Sequence, residues 1–120
     1  ARRERTNTPS QALLLLNESE YLGAARELAR KVLGIKETRA ARRLAFAFET
    51  VTSKLPDAKE RQILSDLLQA LQKSYLEQPE LADEICSGLN LETAEKRAQL
   101  AAWTVLVNAL YNLDITKTRE

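Results

Sequence analysis

The sequence predicts an all-α fold, an irregular bundle of five or six helices with short loops. Three observations carry this. Apolar residues recur three and four apart along most of the chain. No window alternates apolar and polar residues over a useful length, so no strand is expected. The three Gly and three Pro mostly stand where helices should start or stop. With 120 residues, 44% of them hydrophobic and 29% charged, the chain should form a single helical domain over 1–120. Within it, 1–8 reads as an arm and 115–120 as a tail.

Thr8-Pro9-Ser10-Gln11 reads as a capping box that starts a first helix, running from Pro9 to about Leu16. Asn17 or Ser19 caps a second helix, with Tyr21, Ala25, Leu28 and Val32 as its apolar stripe. Gly34 stands where a left-handed residue after the helix belongs. Thr38 starts a third helix whose face is Leu44, Phe48 and Val51, extended by Ala41 and Leu55, and Pro56 stops it. Arg39, Arg42, Arg43 and Glu49 lie mostly off that face. Asp57 caps a fourth helix, with Glu60 completing the box and Leu64, Leu67, Leu68, Leu71 and Tyr75 buried. Pro79 opens a short fifth helix through Leu81, Ile85 and Cys86, and Gly88 ends it. Asn90 or Thr93 starts a sixth, with Leu100, Trp103, Val107, Leu110 and Tyr111 on its face and an end at Asn112 to Asp114. The fourth and sixth helices are the longest and should form the spine. Alanines on the second, third and sixth point to close helix approach, because small side chains shorten the interaxial distance. No internal repeat near solenoid periods is found.

Composition excludes several chemistries. Without His there is no Ser-His-Asp or Cys-His site, no His-bound metal and no His-ligated haem in this segment. One Cys allows no internal disulfide and no Cys cluster. Eighteen Lys and Arg face seventeen Asp and Glu, a net charge of +1, which gives no reason to invoke nucleic acid. Residues 1–60 carry twelve basic and eight acidic groups, whereas 61–120 carry six and nine. Arg2, Arg3 and Arg5 read as a solvated arm around Glu4. No signal peptide is visible. The longest apolar window, Leu100 to Leu113, falls short of the ~20 residues a bilayer needs and is broken by Thr104, Asn108 and Asn112.

The stretch Arg5-Thr6-Asn7-Thr8-Pro9-Ser10-Gln11-Ala12-Leu13 resembles the Arg-Thr-Asn-Thr-Pro-x-Gln-Ala-Leu signature of the planctomycete-specific C-terminal domain, a family of unknown function from large cytochrome-c-associated proteins. Leu44-Ala45-Phe46-Ala47-Phe48, Ala101-Ala102-Trp103-Thr104 and Leu110-Tyr111-Asn112-Leu113-Asp114 are similar to it as well. Ser10, Glu18-Ser19 and Ile115 depart from the family pattern, which marks a divergent member. The resemblance implies the C-terminal part of a large exported protein, periplasmic or extracellular, with haem c possible in upstream domains. It implies no catalytic residue in this segment.

Arg5, Thr6, Asn7 and Gln11 are the first candidate binding residues, because polar groups at a positive helix start can receive an anion or carboxylate. Capping and tertiary hydrogen bonds account for the same residues. Asn108 and Asn112, four apart on one helix face, are the second candidate, as a pocket floor or an internal polar network joined to Arg5 or Asn7. Asp83 with Glu84, and Glu92 with Glu95, read as wet-face carboxylates. Cys86 reads as a small core residue or a partner for an upstream Cys, and Trp103 as a core anchor. No catalytic residue, metal site or cofactor is expected in the segment. The expected role is a non-catalytic structural or interaction module whose partners are upstream domains or another protein. Two alternatives stand beside it. One is a domain that completes an upstream active site with Arg5 and Asn7. The other is a small helical-repeat adaptor that binds a peptide.

Overall fold

The computed structural model describes residues 22–86 and 93–119, with side chains as far as 112. Five helices and no strand occur among the described residues: α1 (Leu22–Gly34), α2 (Ala40–Thr52), α3 (Ala58–Glu77), α4 (Pro79–Cys86) and α5 (Ala94–Arg119). The expected all-α bundle is the fold. The expected first helix, over 9–16, lies outside the described residues, as do Asn17, Ser19, Tyr21, Gly88 and Asn90.

The helices are arranged around α5, which packs against each of the other four, most extensively against α1 and α3. α1, α2, α3 and α4 also touch in sequence order. The outer helices bury one stripe each. In α1 it is Ala25, Leu28, Ala29 and Val32; in α2, Leu44, Ala47 and Phe48; in α3, Leu64, Leu68, Leu71 and Tyr75. α4 buries Ala82, Ile85 and Cys86. From Ala98 to Leu110, α5 is buried on all sides, with Gln99 and Ala109 half-buried. Ala98, Ala101 and Ala102 are at most 2% exposed, which lets neighbouring helices approach the axis closely.

Helix starts follow the sequence closely at two places. Asp57 caps α3: its side chain accepts from the Glu60 N–H at 2.8 Å, and the Glu60 carboxylate accepts from the Asp57 N–H at 2.9 Å. Thr93 caps α5, its hydroxyl accepting from the Lys96 N–H at 3.1 Å. Pro79 takes the first position of α4, and the Gln78 carbonyl accepts from Leu81 N–H at 3.0 Å.

Several boundaries differ from expectation. α2 begins at Ala40 rather than Thr38, with Arg39 preceding it and no side-chain cap. It ends at Thr52, so Leu55 does not extend its face and is 64% exposed; Ala41 is exposed too. α5 does not stop at Asn112 to Asp114 but runs to Arg119, so 115–119 are helical rather than a tail.

The helix ends show a common device. Gly34 is the last residue of α1 and is not in the left-handed region expected of it. Instead the Arg43 guanidinium reaches back from α2 and donates to the Leu33 carbonyl at 3.2 Å and the Glu37 carbonyl at 2.8 Å. At the end of α4, Arg26 Nε of α1 donates to the Ile85 carbonyl at 2.9 Å. Orphan carbonyls and the negative helix end both favour a cation there. The left-handed position falls instead on Ser53 (φ 70°), whose N–H returns to the Glu49 carbonyl at 2.8 Å.

Candidate functional site

Arg5, Thr6, Asn7 and Gln11 lie outside the described residues. Asn108 is fully buried in α5, while Asn112, four residues on, is exposed. The expected partners of this pair, Arg5 and Asn7, lie outside the described residues. The other buried polar residue among the described ones is Thr104, one turn earlier and also fully buried. The sequence showed Thr104 only as a break in an apolar window. Its spacing of four from Asn108 was the available signal.

Buried and charged groups converge at the end of α4. Cys86 is 1% exposed and its thiol donates to the Arg97 carbonyl at 3.4 Å. Arg97 Nε lies 2.9 Å from Asp83 Oδ1, as an ion-pair approach rather than a well-angled hydrogen bond. Arg26 caps the preceding carbonyl. Tyr75, on α3, is 1% exposed and its hydroxyl has no hydrogen-bond partner.

At this junction burial favours the neutral forms of Cys86 and Tyr75. Burial pushes the Cys86 thiol up, Asp83 adds to the rise, and Arg26 and Arg97 oppose it. Burial, then the nearby thiol, pushes the Tyr75 hydroxyl above its ordinary value. A protonated, buried thiol is a poor nucleophile and a poor metal ligand. The arrangement joins α1, α4 and α5. Asp83 is exposed, as expected of the wet face, and its carboxylate meets Arg97 there. Sequence reading placed Tyr75 in the core but missed Arg26 and Arg97, because their roles depend on which helix ends meet.

Trp103 is 1% exposed and sits in the core, as expected. No three His, Cys, Asp or Glu converge for a metal among the described residues. No helix among them is long and apolar enough to cross a membrane. One open groove of about 290 Å³ lies between α3 and the start of α5, lined by Gln72, Leu76, Glu95, Ala98 and Gln99.

The fold and this junction define a helical bundle whose internal polar groups tie helix ends together. The family described as protein of unknown function (DUF1553) matches residues 1–68, and the chain belongs to that family. The match covers the whole of α1 and α2 and the first half of α3. No curated protein and no solved structure matches the chain.

Proposed function

We propose that the chain is a non-catalytic helical packing module at the C-terminal end of a large exported protein of planctomycete type. The observation that carries this is the use made of its basic side chains. Arg26 and Arg43 cap helix ends, and Arg97 approaches Asp83 across the α4–α5 junction. These groups hold one helix against another. The signature Arg5 to Leu13, within the family match, supports the planctomycete reading. On that reading the domain is periplasmic or extracellular, it carries no cofactor itself, and any haem c belongs to upstream domains. Its partners are those domains or another protein, met through the segment Arg2 to Asn7.

The test is to sequence the gene upstream of the Ala1 codon. A long open frame with a signal peptide and a Cys-x-x-Cys-His site supports the exported, cytochrome-associated reading. A start codon directly before Ala1 sinks it.

A second reading has Arg5 and Asn7 completing an upstream active site. That these residues fall inside the family match favours it. Arg5→Ala and Asn7→Ala in the full protein separate the two. Lost activity with an unchanged melting curve supports site completion; lost stability supports packing.

A further inference from the structure

We draw no further inference here: the strongest candidate, the open groove between α3 and the start of α5 with half-exposed Leu76 on its wall, is flanked by exposed groups of both signs, Lys73 and Lys96 beside Glu77 and Glu95, and nothing in the structure shows what covers it.

Discussion

α3 and α5 are the two longest helices, and they meet the same core under different constraints. α3 buries Leu64, Leu68, Leu71 and Tyr75 along one stripe and leaves most of its other positions wet. α5 buries nearly every residue from Ala98 to Leu110. A helix with neighbours mainly on one side needs a single apolar stripe. A helix with four neighbours needs apolar or small residues all round, and any polar group among them must be accommodated inside. The difference teaches that the last helix, beyond the segment the family match covers, is the element around which the matched helices assemble.

Breaking the comparison at its strongest point means Trp103→Ala. It should cost about 3–5 kcal/mol, as large core truncations do, whereas Leu76→Ala on α3, half-exposed, should stay within about 0.5 kcal/mol. Chemical denaturation of both variants measures the contrast. Enlarging small residues sharpens it further. Ala102→Leu has no exposed direction to point in and should cost about 1–3 kcal/mol through overpacking. Ala70→Leu on the exposed side of α3 should be close to neutral by the same melt.

Helix ends give a smaller effect of opposite sign. Ser53 holds a left-handed conformation that costs an L side chain about 1 kcal/mol, so Ser53→Gly should raise stability by up to that amount. Gly34 is helical, and a Cβ there would meet nothing within 4 Å. Gly34→Ala should therefore also stabilise, by about 0.5–1 kcal/mol. A lower melting temperature for either variant would contradict the end geometry.

The smallest effect is electrostatic. Glu37 is held down at about 2, first by the hydrogen bond from the Arg39 side chain and then by the Arg39 N–H. Its folded value lies below its unfolded one, so its contribution is present above the ordinary carboxylate range. That contribution is lost as pH falls toward 2. Because the group is exposed, the change in global stability should be slight. A carbon-detected NMR titration should place the Glu37 midpoint well below the ordinary carboxylate range; a midpoint within that range would remove the Arg39 contact.

Much of the fold was legible. The stripes of α1, α2 and α3 appeared as three- and four-residue spacings, and Asp57, Pro79 and Thr93 marked real starts. The reading of α5 caught Leu100, Trp103, Val107 and Leu110 but not Thr104, Val105 and Leu106 as core. A search for one amphipathic face discards residues that face a second or third neighbour. Nor could the end caps be read. Gly34 looked like a cap by composition, yet the carbonyl beside it is met by Arg43 from the next helix, and Ile85 by Arg26, fifty-nine residues away. Long-range partners leave no local trace in the sequence. For the same reason the junction of Tyr75, Cys86 and Arg97 was invisible, while Asn112, which shares helical spacing with Asn108, proved to be on the surface.

The central claim is that α5 is the axis of the domain and the other helices are its shell. Native-state hydrogen exchange tests it directly, because it reads the opening free energy of each helix separately. The amides from Leu100 to Val107 should exchange only through global unfolding, with α2 and α4 opening at lower cost. Exchange from α5 as fast as from α2 would contradict the account.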